Sequence, residues 1–189
     1  MARAAIHREA LVTTAVRLFR RQGFAATGLG QLLEESGAPK GSLYHYFPGG
    51  KADIGAAAVA HAGEQVAAMI DELALRHRSA GGFAKAYVRR YADWMEESEF
   101  RSGCPIATTL LEMAPDDEAI REAGLQAISR WIDAIAEVFR RDGTSAPRAR
   151  SEAEALVSGL EGALVLARVT RSTAPILNVG RAAAERHAS

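Results

Sequence analysis

A short segment near the N-terminus carries the side chains of this sequence that are best suited to contact a nucleic acid. Five positions that a helix would leave facing outward are cationic, hydroxylic, aromatic or small, and none is acidic: Lys40, Gly41, Ser42, Tyr44 and His45. Such side chains contact phosphate oxygens and the edges of bases, whereas a carboxylate would repel the phosphates. The segment therefore favours recognition of a polyanion.

The charges of the chain are unevenly distributed, although its formal net charge is zero. Residues 1–51 contain seven basic and three acidic side chains, whereas the remaining 138 residues contain 16 basic and 20 acidic ones. A basic N-terminal quarter and an acidic remainder indicate two parts with different partners. The neutral total consequently does not exclude a nucleic acid as one of them.

No combination of residues predicts a catalytic, metal or cofactor site. The sequence has no phosphate-binding loop, dinucleotide fingerprint or nucleophile–base pair, and its five histidines lack the spacing of metal ligands. The single cysteine, Cys104, rules out an internal disulfide. It could be a thiol sensor near the start of a helix, or a small buried apolar residue.

The chain also lacks the apolar segments that membrane insertion or secretion requires. Charged residues interrupt every apolar stretch before it reaches the ~18 residues needed to cross a bilayer. The N-terminal run MARAAIHREALV has no apolar core of the kind found in signal peptides. We therefore expect a cytoplasmic protein with no membrane partner.

The spacing of apolar residues predicts helices and no strand. In the first helix, Leu11, Ala15, Leu18 and Phe19 recur at i, i+4, i+7 and i+8, which forms one apolar face. Glycine and proline residues divide the rest of the chain into further segments with the same period. We expect an all-α fold of about nine helices.

Residues 27–47, TGLGQLLEESGAPKGSLYHYF, predict two short helices joined by a tight turn. Thr27 is a candidate N-cap of the first helix, Gly37 ends it, and Pro39 starts the second. This arrangement is that of a helix–turn–helix, which presents its second helix to the major groove of DNA. The alternative is a small three-helix bundle with no such role, because tight glycine turns are common.

Residues 8–54 resemble the N-terminal domain of the TetR family of transcriptional regulators. The resemblance rests on the run LFRRQGF at the end of the first helix, on Thr27 and Gly37, on the run KGSLYHYF, and on a lysine soon afterwards. Two features depart from the family pattern: Pro39 replaces a common serine or threonine, and the run FPGGK has one residue more than usual.

The resemblance implies a DNA-binding domain over residues 1–51 and specific roles within it. Lys40, Gly41 and Ser42 are the candidates for contact with bases or with the groove. Four further residues are the candidates for contact with phosphates: Thr27, Tyr44, His45 and Lys51. Tyr46 and Phe47 are expected in the core of the domain.

The extra glycine and the run GCPIATTLLEMAP at 103–115 are similar to the LmrA/YxaF-type subgroup of the family. In such proteins the C-terminal domain, here residues 52–189, is helical, binds a small-molecule effector and dimerises. The candidates for lining the effector pocket are Met69, Tyr87, Tyr91, Trp94, Cys104, Thr108, Met113 and Trp131. Residues of these types at helical spacing can equally be plain core.

One late helix contains the run SGLEGALVLA, whose small residues allow a second helix to approach closely. By resemblance, the candidates for a homodimer interface are Leu156, Gly159, Leu160, Gly162, Ala163 and Leu166. The alternative is that the same residues pack within the chain.

Together these expectations describe a homodimeric repressor of the TetR type. A small apolar or aromatic ligand would release it from a double-stranded DNA operator. The alternative is a small-molecule sensor of the same fold that does not bind an operator. An enzyme is not expected, since no catalytic constellation is present.

Overall fold

The computed structural model describes residues 2–187, with side chains from residue 6 onward, and over this range the chain forms nine helices and no strand. The predicted all-α fold is confirmed. The helices are α1 (Ala2–Gln22), α2 (Leu29–Ser36), α3 (Lys40–Tyr46), α4 (Lys51–Arg76), α5 (Ala80–Glu97), α6 (Pro105–Met113), α7 (Glu118–Arg141), α8 (Ala146–Thr170) and α9 (Ala174–Arg186). No described helix is long and apolar enough to cross a membrane.

The chain divides into two compact units that do not follow the sequence in two simple blocks. The first unit comprises residues 1–65 and 104–127, and the second comprises 66–103 and 128–189. Helix α6 therefore belongs to the same unit as α1, α2 and α3. This division differs from the domains predicted at 1–51 and 52–189, which assign the chain by function and not by compactness.

The core of the first unit is built on the apolar face predicted for α1. Leu11, Ala15, Leu18 and Phe19 are all at most 1% exposed. Helices α2, α3 and α6 pack against α1. Apolar residues of the second and third helices, such as Leu32 and Leu43, are also completely buried. Burial of this face fixes where the short helices α2 and α3 stand.

The turns around α2 and α3 depend on backbone conformation more than on side-chain caps. Gly37 ends α2 with a φ of +66°, in the left-handed region that glycine adopts without strain. Pro39 is the N-cap of α3 and provides no side-chain hydrogen bond. After α3, the Asp53 carboxylate accepts a 2.7 Å hydrogen bond from the Gly49 N–H, which closes the turn before α4.

The second unit is centred on α5, which packs against α9 and more lightly against α8. Phe83, Tyr87, Tyr91 and Met95 follow one another along the buried face of α5. Gly180 in α9 allows the close approach, because a Cβ atom there would collide with the Val88 side chain and lie 3.3 Å from the carbonyl oxygen of Ala84.

Candidate nucleic-acid interface

The outer face of α3 is available to an external partner. Leu43 is completely buried, which directs the opposite side of this helix away from the unit. Of the side chains on that side, Tyr44 is 60% exposed, Lys40 and His45 are exposed, and Ser42 is half-buried. The predicted exposure is therefore observed for all of these positions except Ser42, which is less exposed than predicted. No acidic residue lies among them.

Ser42 has part of its hydrogen-bonding capacity already in use. Its hydroxyl donates a 2.6 Å hydrogen bond to the carbonyl oxygen of Pro39, where the helix begins. Since a hydroxyl has a single hydrogen, contact with a base edge in this conformation would use the acceptor lone pairs of Ser42. Such a contact matches a donor group of the base, such as the amino group of adenine or cytosine.

The aromatic residues that end α3 have separate positions. Phe47 is buried, as predicted, and the guanidinium group of Arg8 lies 5.5 Å from its ring centroid. Tyr46 is half-buried, and its ring meets the imidazole of His45 edge-on at a centroid distance of 4.8 Å. This contact orients the exposed imidazole on the outer face.

Thr27 has a structural position that corrects two predictions. It is completely buried, and its hydroxyl donates a 2.7 Å hydrogen bond to the carbonyl oxygen of Gly23. The N-cap of α2 is Gly28, with no side-chain cap. The prediction that Thr27 caps this helix is wrong, and its buried hydroxyl is not placed to contact a phosphate.

Lys51 lies at the first turn of α4, partly folded back onto the protein. Its ammonium group donates a 3.1 Å hydrogen bond to the carbonyl oxygen of Ala25 and lies 4.4 Å from the centroid of the Phe24 ring. Burial lowers the pKa of Lys51 below its usual value, and the nearby Glu112 carboxylate opposes this shift. One of the three N–H donors of Lys51 is thus engaged within the chain.

One residue that sequence reasoning missed is Glu112, in α6. Its carboxylate accepts hydrogen bonds from two successive backbone N–H groups, those of Phe24 at 3.0 Å and Ala25 at 2.6 Å. The hydroxyl of Thr108, one turn earlier, lies 3.3 Å from the carbonyl oxygen of Phe19 and 3.1 Å from that of Cys104 in its own helix. Glu112 lies more than 80 residues from Phe24 and Ala25 in the sequence, so no local sequence pattern predicts these hydrogen bonds.

The residues predicted for an effector pocket are divided between the two units. Met69, Tyr87, Tyr91 and Trp131 are buried in the second unit, and Trp94 is half-buried there. The two tyrosine hydroxyls lie 3.4 Å apart. Three of the predicted residues belong to the first unit: Cys104, Thr108 and Met113.

Cys104 serves a local structural purpose at the start of α6. It is 7% exposed, and its sulfur accepts a 3.5 Å hydrogen bond from the Ala107 N–H as the N-cap of the helix. This environment corresponds to the buried alternative. Among the residues that the structure describes, no group of three or more His, Cys, Asp or Glu side chains could hold a metal ion.

The residues predicted for the dimer interface lie on two different faces of α8. Leu156, Leu160 and Ala163 are at most 4% exposed, because they pack inside the second unit, which corrects their assignment to a partner-facing surface. Gly162 is exposed, Leu166 is 56% exposed, and Gly159 is intermediate. Two residues beside them were missed, Val165 and Val169, which are 62% and 79% exposed.

Two family models together match most of the chain. The model of bacterial regulatory proteins of the tetR family matches residues 11–58, which include α2 and α3. The model of the C-terminal domain of LmrA/YxaF-like transcriptional regulators matches residues 82–182. Both describe transcriptional regulators and not enzymes, and both agree with the resemblance seen in the sequence.

Individual relatives extend over nearly the whole chain. The uncharacterized HTH-type transcriptional regulator Rv0196 of Mycobacterium tuberculosis is 40% identical, over 89% of this chain and 88% of its own. The HTH-type transcriptional regulator LmrA of Bacillus subtilis is 31% identical, over 91% and 92%. A solved TetR regulatory protein from Rhodobacter sphaeroides superposes with a TM-score of 0.82 at 27% identity, over 95% and 97%.

Proposed function

The chain belongs to the TetR family of bacterial transcriptional regulators, with a C-terminal domain of the LmrA/YxaF-like type, and on that premise we propose that it is a repressor released from its operator by a small apolar or aromatic ligand. The observation that carries the DNA-binding part is the outer face of α3. This face presents Lys40, Gly41, Tyr44 and His45 to solvent on a helix anchored by the buried Leu43. We assign base contacts to Lys40, Gly41 and Ser42, and phosphate contacts to Tyr44, His45 and Lys51.

The proposed assembly is a homodimer. A recognition helix of seven residues reads too few base pairs to define an operator, whereas two helices related by a two-fold axis read half-sites about 34–36 Å apart. The exposed face of α8 supports this assembly. Gly162, Val165, Leu166 and Val169 follow one another at helical spacing, and the three larger ones are more than half exposed. Apolar side chains grouped in this way favour burial against a second copy.

The proposed effector site is the aromatic region of the second unit. Along α5, the rings of Phe83 and Tyr87 stack at 5.9 Å, those of Tyr87 and Tyr91 meet at 5.3 Å, and Trp94 follows at 5.0 Å. Aromatic rings with a pair of hydroxyl groups among them suit contact with a ligand that is mostly apolar. Such a ligand releases DNA only if it binds the form without operator affinity more tightly than the other form.

In this proposal residues 1–51 carry DNA recognition, and residues 52–189 carry effector binding and dimerisation. The place of action is the cytoplasm, where the DNA of a bacterium lies. A second candidate function is that of a small-molecule sensor with the same fold but no operator. The same experiment distinguishes the two.

The test is selection of binding duplexes from a random pool, followed by titration of a selected duplex at several salt concentrations. We expect a palindromic site and saturable binding that weakens as salt rises. Replacing Lys40 with Ala should weaken binding to the selected duplex and relax the sequence preference at the contacted base pair, because a base contact is lost. Lys85→Ala is the matched control, since Lys85 is an exposed lysine of α5. Failure to select any duplex would favour the sensor.

A further inference from the structure

We propose that Glu112 is a positioning residue for DNA binding, because its carboxylate clamps the turn between α1 and α2 (residues 23–28, the α1–α2 turn). The inference rests on the proposed function, since it concerns how the DNA-binding helices are held. Glu112 lies outside the segment that matches the DNA-binding family model, 54 positions beyond its last residue. The clamp therefore adds α6 to the parts of the chain that determine DNA affinity.

The carboxylate binds the turn with both of its oxygens. Oε1 accepts from the Phe24 N–H at 3.0 Å, and Oε2 accepts from the Ala25 N–H at 2.6 Å. Hydrogen bonds to an ionised acceptor are shorter and stronger than neutral ones. Two such bonds to neighbouring peptide groups fix the orientation of the backbone more tightly than a single bond would.

The backbone of the turn is shaped to admit this carboxylate. Gly23 has a φ of +86°, and a Cβ atom at that position would lie 2.6 Å from Oε1 of Glu112. A side chain at residue 23 would thus be opposed by backbone strain and by collision with the carboxylate. The carbonyl oxygen of Gly23 in turn accepts the hydroxyl of Thr27, which holds the far end of the turn.

Lys51 completes the arrangement from the opposite side. The peptide groups of Ala25 are held at both ends, because its N–H donates to Glu112 and its carbonyl oxygen accepts from the Lys51 ammonium. The negative charge of Glu112 also favours the protonated form of Lys51 against the effect of burial. Glu112 thereby supports two features at once: the entry of the chain into α2, and the position of a proposed phosphate-binding cation.

The consequence is a DNA-binding surface that is ordered before DNA arrives. Helix α2 begins directly after the clamped turn, and α3 follows it through the tight turn at Gly37. If the turn is free to move, DNA binding must order it, and the entropy lost in doing so lowers the affinity. The clamp removes that cost without touching the DNA.

The direction in which DNA affinity changes when Glu112 is substituted shows whether Glu112 acts as a clamp or only as a negative charge. Removing a negative charge from a DNA-binding unit should leave DNA affinity unchanged or raise it, because phosphates are then repelled less. Removing the clamp should lower it. Asp116→Asn is the matched control, since Asp116 is an exposed carboxylate four positions away in the same unit.

The experiment combines hydrogen exchange, followed residue by residue by NMR, with titration of a duplex selected as above. In Glu112→Gln and Glu112→Ala, the Phe24 and Ala25 amides should exchange about 10- to 100-fold faster, the range expected for loss of charged hydrogen bonds. The amides of Ala15 and Leu18, in α1, should exchange as in the unsubstituted protein, which excludes unfolding of the first unit. DNA affinity should fall about 3- to 30-fold for Ala and less for Gln, while Asp116→Asn should not weaken it.

Two results would overturn the inference. Unchanged exchange at Phe24 and Ala25 would show that the carboxylate does not hold the turn. Equal DNA affinities of Glu112→Gln and Asp116→Asn would show that the turn does not need holding. If the unsubstituted protein binds no duplex, the proposed function fails, and the exchange measurement still decides separately whether Glu112 clamps the turn.

Discussion

At the scale of single residues, the hydroxyl group of Thr27 illustrates how a buried polar atom supports a functional segment. It donates to the carbonyl oxygen of Gly23 across four residues, and the residue is completely buried. Removal of the hydroxyl would take this hydrogen bond from the Gly23 carbonyl oxygen and lower the free energy of unfolding. Thr27 is therefore expected to affect folding and not DNA contact.

Thr27→Val should lower the free energy of unfolding by about 1–3 kcal/mol, because the shape is kept while the hydrogen bond is lost. Urea denaturation measures this value. Thr13→Val, at an exposed position of α1, should change it far less. DNA affinity measured well below the unfolding temperature should stay unchanged in Thr13→Val. It should fall less than about threefold in Thr27→Val, because Glu112 still holds the α1–α2 turn. A tenfold loss of affinity with unaltered stability would restore the phosphate role that the resemblance implied.

Sequence reasoning at this scale succeeded where a side chain acts within its own helix. The exposure of Lys40, Tyr44 and His45 follows from the period of α3 once Leu43 is placed in the core. It failed for Glu112, whose partners are 87 and 88 positions away. A glutamate on a helix surface is usually solvated, so its residue type alone gives no indication of a backbone partner.

At the scale of elements, the packing of α9 on α5 depends on a glycine. Gly180 has no space for a Cβ atom beside Val88, whereas nothing lies within 4 Å of a Cβ built on Gly30 in α2. Both glycines lie in helices, but atoms of α5 surround Gly180 closely, whereas the space beside Gly30 is open. Only the first one should resist substitution on steric grounds.

Gly180→Ala should lower the free energy of unfolding by about 1–3 kcal/mol, the usual cost of overpacking, because α9 must move away from α5. Gly30→Ala should not lower it, since alanine has the higher helix propensity and meets no atom. Thermal or urea unfolding of both variants checks the difference. Equal stability of the two would mean that α9 adjusts without cost.

Helix existence was predictable from sequence, but the roles of helix faces were not. Periodicity identified the apolar residues of α8 correctly as lying on a helix. Leu156 and Leu160 form its buried face, and Val165 and Val169 belong to its exposed face. Both faces are apolar, so hydrophobic period alone does not distinguish packing within a chain from packing between chains.

At the scale of the whole molecule, the exposed face of α8 should determine the number of chains in the assembly. Leu166→Glu places a charge on this face and should convert the proposed dimer into a monomer, which sedimentation equilibrium would reveal. DNA affinity should fall with it, because only one half-site is then read. Leu75→Glu is the control, as Leu75 is 84% exposed on α4. A dimeric Leu166→Glu would place the interface elsewhere.

The zero net charge of the chain is the sum of a basic N-terminal segment and an acidic remainder. The excess of basic residues over 1–51 lies on the segment that carries α1, α2 and α3. An excess of four charges gives only modest attraction to DNA, so tight binding to the proposed operator would depend on specific contacts and on two copies acting together.

The discontinuous first unit also limits how this protein can be recombined. A chimera that transfers residues 1–51 to another regulator would leave α6 behind, and with it the carboxylate that meets Phe24 and Ala25. Such a chimera would have the donor's sequence preference, but its α1–α2 turn would no longer be held by the Glu112 carboxylate. Transfer of DNA specificity to a relative should therefore succeed in two cases. Either the recipient's α6 has an acidic residue at the position of Glu112, or residues 104–127 are transferred together with the N-terminal segment.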